Sequence, residues 1–351
     1  MNCLRWIIQS LCIFGFGVVV TIGNRAGAAI FTLDPASPSL AGIPATAADI
    51  LVDVPGVGGV PGVYPPPSVA LPFGLLGLQP GDVVDAISDG LDAVQDPLHL
   101  HYFSVTRGSS GVPGSGVFRE STIADSFPGF LPGQAGDIFL AGNGVPANTN
   151  ILAPAGFGWS LGTGTGDEAN VNLITPTISL PLSGDELNSL DMGAVSPAAP
   201  LFFSLAPGSP TLVALGATPA DILVGGAGGP PAIFAPAAAL GLPPGTDIDA
   251  LAMLAGIPIG PGMIEFSLTN ATAGLLGVTG GDILTAGGLV VHGFASLGLT
   301  PNDDLDALDV GAQAVPEPSS ALLAAFGSLG LLARRRRDRK CLVAKGHPQA
   351  E

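Results

Sequence analysis

A G-x-S-x-G pattern lies near the middle of the chain, where residues 158–162 read GWSLG. In many hydrolases this pattern places a nucleophilic serine on a sharp turn between a strand and a helix, and here Ser160 would be that nucleophile, with His292 following in the usual order. The chain holds 52 glycines, so a chance match is expected. No strand-turn-helix pattern surrounds the serine. We therefore predict no catalytic residue from this pattern. A secreted hydrolase is kept only as an alternative to the function predicted at the end of this section.

Two histidines, His99 and His101, lie close to Asp96 and would share one face of a strand. Together they offer ligands of the kind that a metal ion binds. No third ligand can be named from the sequence. We therefore interpret them as surface histidines and predict no metal site there.

Acidic residues cluster at residues 247–249 (DID) and 303–306 (DDLD). Ca²⁺ binds clustered carboxylates, which makes a calcium-dependent surface binding module a second alternative. Both segments lack the glycine turn and the distal glutamate of an EF-hand loop. Solvated turns and helix caps explain these segments more simply, so no cofactor is predicted.

Charge is distributed unevenly along the chain. Between residues 29 and 314 there are 25 acidic residues, two arginines (Arg107 and Arg119) and no lysine. Such a segment cannot neutralise a phosphate backbone, which argues against nucleic acid as a partner. Without lysine it can form neither a Walker A loop nor a Schiff base. The acidic character favours solubility and partners that are cations or neutral sugars.

Composition limits the fold as well. The chain of 351 residues is long enough for one large domain or two ordinary ones, and apolar residues (47%) suffice for a core. Glycine (52) and proline (34) are too frequent for an ordinary helical protein. Cys3, Cys12 and Cys341 lie near the two ends, so the segment between them has neither a disulfide nor a thiolate metal site.

The N-terminus has the three parts of a secretory signal peptide. Arg5 supplies positive charge, residues 11–22 are apolar, and Ala26 and Ala28 occupy the small positions before a cleavage site. We predict a signal peptide over residues 1–28, removed by signal peptidase to leave Ala29 as the first residue. An uncleaved membrane anchor is the alternative.

The C-terminus combines a proline-rich tetrapeptide, an apolar run and a basic cluster. The tetrapeptide is Val315, Pro316, Glu317 and Pro318, and the basic cluster is Arg334, Arg335, Arg336 and Arg337. The two prolines should keep the tetrapeptide extended and accessible. Residues 319–333 carry no charge and would form a membrane helix of roughly 22 Å, short for a bilayer. By the positive-inside rule, the arginines stay cytoplasmic and residues 29–314 lie outside.

This ordered trio resembles the PEP-CTERM sorting signal of Gram-negative bacteria over residues 315–337. The resemblance implies exosortase, the processing enzyme of that system, as a partner, and an association with exopolysaccharide or biofilm matrix. Residues 338–351, which we predict to be a cytoplasmic tail, continue where such signals usually stop. An ordinary tail anchor with a chance Pro-Glu-Pro is the alternative.

The segment between the two ends repeats itself. Residues 31–40 (FTLDPASPSL) recur as residues 203–212 (FSLAPGSPTL), and ADILV at residues 48–52 recurs at the same offset of 172 residues. Weaker copies begin at Phe103 and Phe266. Each copy leads to a second element rich in Asp and Leu. These elements lie at residues 82–87, 185–190, 247–251 and 304–308. A Leu-Gly-Leu tripeptide precedes three of them, at residues 76–78, 240–242 and 297–299.

These recurring segments predict a mainly β fold. Phe-Ser-Leu and Asp-Ile-Leu-Val are rich in strand formers and bounded by turn residues, and residues 288–294 could add a third strand. The Asp-x-Asp-Ala-Leu element fits a fourth strand, or a helix, because residues 300–303 (TPND) read as a helix start. We predict surface loops at residues 54–72 and 225–236. Four units of three or four strands suit a small β-propeller, with a β-sandwich or an irregular β-solenoid as the alternative.

Together these patterns predict an acidic repeat body (residues 29–314) between a signal peptide and a short C-terminal membrane segment. We expect the body to be exported across the inner membrane, tethered, and then placed at the cell surface or in the extracellular matrix. Since no catalytic or metal site stands out, we expect a structural or interaction protein rather than an enzyme.

Overall fold

The computed structural model describes residues 29–54, 64–88, 100–122, 134–142, 185–192, 200–226, 229–254 and 263–310. Within these ranges the chain is mainly β, with a few short helices. The strands are β1 (Ala29–Leu33), β2 (Ile50–Val52), β3 (Ser68–Leu71), β4 (Val84–Ser88), β5 (Leu100–Val105), β6 (Phe139–Gly142), β7 (Leu187–Met192), β8 (Leu201–Leu205), β9 (Ile222–Gly226), β10 (Gly229–Ala235), β11 (Ile248–Met253), β12 (Ile264–Leu268), β13 (Ile283–Thr285), β14 (Leu289–His292) and β15 (Leu305–Val310). The α-helices are α1 (Gly116–Ser121), α2 (Pro210–Leu215) and α3 (Asn270–Ala273), and 3-10 helices span Pro38–Ala41, Phe73–Leu75, Ala237–Leu240 and Phe294–Leu297.

These strands form four antiparallel sheets. Sheet 1 has the order β15-β1-β2-β3, sheet 2 β4-β5-β6, sheet 3 β7-β8-β9-β10 and sheet 4 β11-β12-β13-β14. Three sheets are therefore built from consecutive strands. Sheet 1 instead joins the last described strand to the first three, with Phe31 opposite Leu308. The Asp34 N–H donates to the Asp304 carbonyl at 3.1 Å, which extends this long-range pairing beyond the strands.

One edge strand of each sheet packs against the other sheets. We call β4, β7, β11 and β15 the inner strands. The inner strand β4 contacts β7, β7 contacts β11, β11 contacts β15, and β15 contacts β4. The opposite pairs, β7 with β15 and β4 with β11, also contact each other. The residues of all four inner strands are buried, which is expected where a strand is covered on both faces.

Four apolar clusters fill the spaces between neighbouring sheets. Each combines an isoleucine at or next to the third strand of one sheet with a phenylalanine on the second strand of a neighbouring sheet. The combinations are Ile50 with Phe103, Ile138 with Phe203, Ile222 with Phe266, and Ile283 with Phe31. Burial of each phenylalanine contributes about 1.5–3 kcal/mol. The recurrence of Phe and Ile in the sequence is thus the recurrence of contacts between sheets.

In three of the four sheets, a hydroxyl group next to this phenylalanine links its sheet to the following one. Thr32 Oγ1 donates to the Val84 carbonyl at 2.9 Å, and Ser204 Oγ donates to the Ile248 carbonyl at 3.0 Å. Ser267 Oγ donates to the Leu305 carbonyl at 3.2 Å. Since neighbouring side chains on a strand face opposite sides, the Phe and the hydroxyl contact different neighbouring sheets.

The Leu-Gly-Leu tripeptides end the 3-10 helices that follow β3, β10 and β14, the edge strands opposite the inner strands. Gly241 and Gly298 terminate these helices with φ of 76° and 75°, a backbone conformation that glycine adopts without strain. The flanking leucines turn back into the core, where Leu240 and Leu297 are buried. The tripeptide is therefore a helix stop that carries two core residues.

At the edges of sheets 1 and 3, the structure has strands where we predicted loops. Residues 54–72 and 225–236 were expected to be loops, yet β3 and β10 lie within them. Both strands are sheet edges, where a proline lacking an N–H removes no ladder hydrogen bond, and β10 contains Pro230 and Pro231. By contrast, residues 288–294 contain β14 and confirm the strand predicted there.

Of the two alternatives for the Asp-x-Asp-Ala-Leu element at residues 304–308, β15 confirms the strand, and the helix start at residues 300–303 is wrong. Asp303 N–H donates to the Thr300 carbonyl at 3.1 Å, closing a turn, and the chain then enters strand β15. Thr300 and Pro301, a cap residue and a proline of the kind that begin many helices, are here part of a turn. The carboxylate of Asp303 bonds to Ser39 in a distant part of the chain, so tertiary contacts decide the outcome.

Candidate functional site: buried carboxylates along the inner strands

The catalytic and metal candidates of the sequence are only partly described. Ser160, His99 and Asp96 lie outside the described residues. His101 lies on β5 and His292 at the end of β14, both with half-buried side chains. Neither the hydrolase arrangement nor the histidine pair can therefore be assembled from the described part of the chain.

The predicted targeting residues also lie outside the described ranges. These are Ala26 and Ala28 of the cleavage site, Val315, Pro316, Glu317 and Pro318 of the tetrapeptide, and Arg334, Arg335, Arg336 and Arg337 of the basic cluster. Among the residues that are described, no helix has the length and apolar character needed to cross a bilayer.

A first set of buried carboxylates closes turns. In each case an aspartate accepts a hydrogen bond from the backbone N–H three residues earlier, and its own N–H donates to the carbonyl of that residue. We call Asp49, Asp82, Asp221, Asp282 and Asp303 the turn aspartates. In four of the five turns the earlier residue is threonine, and three of these threonine hydroxyls also donate to the carboxylate.

The second carboxylate oxygen reaches another element. Asp49 Oδ1 accepts the Phe73 N–H at 2.7 Å, and Asp282 Oδ1 accepts the Phe294 N–H at 2.9 Å, each at the start of a 3-10 helix. Asp303 Oδ1 accepts the Ser39 N–H at 2.8 Å. Asp185, whose preceding residues are not described, similarly accepts the Thr211 N–H at 2.9 Å. Each aspartate thus joins its turn to a neighbouring helix or loop.

This arrangement corrects the prediction of solvated turns. Asp303 is fully buried, and Asp49 and Asp282 are nearly so. Their carboxylates accept backbone N–H groups that burial would otherwise leave without partners, and such charge-assisted bonds are strong. The turn aspartates therefore need no basic partner, because amides rather than cations stabilise their carboxylates.

A second set of polar residues lies on the inner strands. We call Asp85, Asn188, Asp249 and Asp306 the inner-strand cluster. Each is the second residue of its inner strand and lies where the register with the neighbouring strand shifts. On β11, for example, Ile248 pairs with Leu268 and Ala250 with Ser267, so that Asp249 has no partner residue. Such bulges redirect side chains and occur often beside functional sites.

The side chains of the inner-strand cluster are almost completely buried. Asp85 is 5% exposed, Asn188 7%, Asp249 6% and Asp306 6%. Asn188 Nδ2 lies 3.3 Å from both Asp247 Oδ1 and Asp249 Oδ1, and it donates to the Ile248 carbonyl at 2.7 Å. Asp306 Oδ2 is buried without a hydrogen-bond partner. Among the described hydrogen bonds, none joins a backbone N–H to the carboxylates of Asp85, Asp249 or Asp306, whereas the turn aspartates accept several.

Burial and mutual repulsion shift the titration of this cluster. Burial raises the pKa of Asp85, Asp249 and Asp306 well above the ordinary value of 3.8, and nearby carboxylates raise it further. The charge of Asp306 acts on both Asp85 and Asp249. These three groups are therefore protonated well above the pH at which an exposed aspartate ionises.

Two aspartates that precede the inner strands behave similarly. Burial, followed by the charge of Asp304, raises the pKa of Asp247 to about 7. Burial also raises the pKa of Asp304 to about 6, although the N–H of Asn270 partly opposes the shift. The acidic segments at residues 247–249 and 303–306 thus contribute to one group of interacting carboxyls.

This group is not arranged as a metal site. Within the described ranges, no set of three or more His, Cys, Asp and Glu residues could hold a metal ion. What the inner-strand cluster can do chemically is take up and release protons. Sequence reasoning missed this role, although the same Asp or Asn position recurs in all four Asp-x-Asp-Ala-Leu elements.

Comparison with known proteins identifies the C-terminal end. Residues 314–337 match the family model of the PEP-CTERM protein-sorting motif. The chain therefore carries a PEP-CTERM sorting signal, as its tetrapeptide, apolar run and arginines predicted, and such a signal indicates an exported protein processed at its C-terminus. The match does not extend into the body. No curated protein and no solved structure matched the chain.

Proposed function

We propose that this chain is an exported structural or interaction protein of the cell surface or extracellular matrix, delivered through its C-terminal sorting signal. The observation that carries the proposal is the PEP-CTERM match at residues 314–337. The signal peptide predicted at residues 1–28 supports the same route, because it would start the export that the C-terminal signal completes.

The way in which the body uses its polar groups supports a scaffold. The turn aspartates accept backbone N–H groups, and the hydroxyls of Thr32, Ser204 and Ser267 donate to buried carbonyls. These side chains hold elements together and are not exposed for chemistry. An acidic body without lysine also suits contact with neutral sugars, and exopolysaccharide is the partner that a PEP-CTERM protein would meet.

We propose further that the four sheets are the blades of a small β-propeller made from a four-unit repeat. Three observations support this arrangement: the cyclic contacts of the inner strands, the four equivalent bulges, and the pairing of β15 with β1. The pairing of β15 with β1 joins the two ends of the body and gives sheet 1 an inner strand, as the other three sheets have.

Processing would occur at both ends. Signal peptidase would cleave after Ala28, and an exosortase-type enzyme would recognise residues 315–318 while the apolar run and Arg334 to Arg337 hold the chain in the inner membrane. The body would then be released from this tether to the outside of the cell.

Fractionation of a bacterium that contains an exosortase tests the route. For this experiment an epitope tag is fused after Glu351. An antibody against residues 29–314 detects the body separately from the tag. For the natural sequence we expect the body at the surface or in the medium without the tag. Glu317→Ala, or glutamine in place of Arg334 to Arg337, should keep body and tag together in the inner membrane.

Matched variants separate the motif from its surroundings. Gln313→Ala lies just before the matched residues 314–337, and Arg339→Gln lies shortly after them. Both variants should be processed normally. If the Glu317 and arginine variants are processed and located like the natural sequence, the proposed route is wrong.

A panel of ester and polysaccharide substrates tests the absence of catalysis. We expect no turnover above that of the Ser160→Ala variant. An activity that Ser160→Ala abolishes and the neighbouring Thr163→Ala keeps, at unchanged melting temperature, would replace the scaffold by a hydrolase.

A further inference from the structure

The four inner strands bring their bulge residues into one electrostatic group. Asn188 on β7 hydrogen-bonds toward Asp249 on β11, and the charge of Asp306 on β15 acts on Asp85 of β4 and on Asp249. Since all four strands contact one another, carboxyl groups from three different sheets and an amide from the fourth share one buried region.

No described cation compensates these carboxyls. The further charged groups that act on them from the packed elements are all acidic: Asp34 after β1, Glu186 before β7, Asp247 before β11 and Asp304 before β15. Arg107 pairs with Glu186 at 3.7 Å, and both side chains are partly exposed.

A set of carboxylates in such a place cannot be fully ionised without a large penalty, because burial disfavours each charge and like charges repel. Asp306 Oδ2, buried and without a hydrogen-bond partner, shows that the protein supplies no donor for a carboxylate there. A proton on the carboxyl removes the charge and adds a donor.

We propose that protons held by Asp85, Asp249 and Asp306 lock the four sheets together at their inner strands, which makes the body a pH-responsive assembly. When these protons are lost, repulsion acts between strands of different sheets, so the contacts between sheets weaken before those within them. The proposal concerns the body and is independent of how the chain is exported.

The sign of the pH dependence follows from proton binding. These aspartates have a higher pKa in the folded protein than the value of 3.8 expected for an exposed group. Above about pH 4 the folded state therefore binds more protons than the unfolded state, and stability falls as the pH rises. For Asp304 and Asp247 this stability is lost as the pH rises through about 6 and 7. The three cluster aspartates lose theirs as the pH rises through pKa values that burial holds well above 3.8.

Thermal melting of the purified full chain between pH 5 and 9, in the presence of EDTA, tests the proposal. We expect the melting temperature to fall by roughly 5 °C or more between pH 5 and 8. The double variant Asp249→Asn with Asp306→Asn should melt higher than the natural sequence at pH 8, with a flatter pH profile. Asp221→Asn, a turn aspartate, is the matched control and should lower the melting temperature without flattening the profile.

Two results would overturn the proposal. A melting temperature that stays constant or rises between pH 5 and 8 would show that no protons hold the sheets together. Recovery of the low-pH melting temperature at pH 8 on addition of calcium without EDTA, lost in the double variant, would assign the carboxyls to a cation instead. A single Asp249→Asn variant gives the same comparison if the double variant does not fold.

Discussion

The turn aspartates and the aspartates of the inner-strand cluster are equally buried, yet their surroundings are opposite. Asp282 accepts the N–H groups of Thr279 and Phe294 and the hydroxyl of Thr279. Asp306 instead has a buried oxygen without a partner and acidic neighbours. The contrast teaches that burial alone does not decide what a carboxylate does to stability. The hydrogen-bond donors that surround the carboxylate determine its effect on stability.

The largest effect should come from removing a turn aspartate. Asp303→Ala removes the acceptor of the N–H groups and the hydroxyls of both Thr300 and Ser39, so we expect a loss of about 3 kcal/mol in the free energy of unfolding. Denaturant unfolding measures it. The exposed neighbour Asn302→Ala should change stability little. Equal effects of the two substitutions would show that the turn aspartates do not stabilise the fold.

A new charge in the inner-strand cluster should have the next largest effect. Asn188→Asp replaces the amide that bonds toward Asp249 with a fourth carboxyl, and we expect a loss of about 2 kcal/mol at pH 8 and less at pH 5. Urea unfolding at both pH values measures the difference. Asn302→Asp is the matched control at an exposed position. An effect of Asn188→Asp that is the same at both pH values would contradict the proton-held cluster.

A smaller effect is expected where a neutral group links two sheets. Ser204 Oγ lies 3.0 Å from the Ile248 carbonyl and 2.7 Å from Ser189 Oγ, both buried. Ser204→Ala should lower the free energy of unfolding by about 1.5 kcal/mol, because buried partners lose a hydrogen bond. Unlike the cluster variants, its effect should not change with pH. Ser68→Ala, at an exposed position on β3, is the control.

The smallest effect concerns Asp53, which combines features of both sets. Burial raises its pKa, while its Oδ1 accepts the N–H of Ala29 at 2.7 Å. Cleavage after Ala28 would convert that N–H into an ammonium group and strengthen the pair. Asp53→Asn should then lower the stability of the processed chain by about 1 kcal/mol.

Acetylation of the new N-terminus provides the control for this pair. Acetylation should lower the free energy of unfolding of the natural processed chain by the same amount as the substitution does, and it should leave that of Asp53→Asn unchanged. A thermodynamic cycle that combines the acetylation with the substitution measures this coupling. The same acetylation effect in both proteins would show that the ammonium group of Ala29 does not interact with Asp53.

Much of the strand pattern was predictable from the sequence. Phe203 and Ile222 belong to recurring segments that are strands in the structure, because β-branched and aromatic residues between turn residues favour strands locally. The Thr-x-x-Asp spacing of the turns was equally visible, at residues 46–49 and 279–282 for example, although its role was not recognised. That role depends on the second carboxylate oxygen of each turn aspartate. The N–H groups that donate to this oxygen, those of Phe73 and Phe294, follow another strand of the chain.

Other features could not be predicted locally. Residues 300–303 carry the same cap and proline as a helix start, yet Asp303 closes a turn with Thr300 and reaches Ser39, 264 residues away in sequence. Likewise, nothing in the sequence around Asp249 distinguishes a solvated acid from a buried bulge. The pairing of β11 with β12 and the approach of the other inner strands decide it.

The sorting end of the chain, the short strands and the body without lysine or cysteine can be deduced from the sequence, because they depend on residue type and on spacing over a few residues. Which carboxylates face amides and which face each other is set by the three-dimensional packing of the strands. That choice depends on contacts between segments far apart in the chain, such as β15 with β1, and on the shared burial of four inner strands that no single segment encodes.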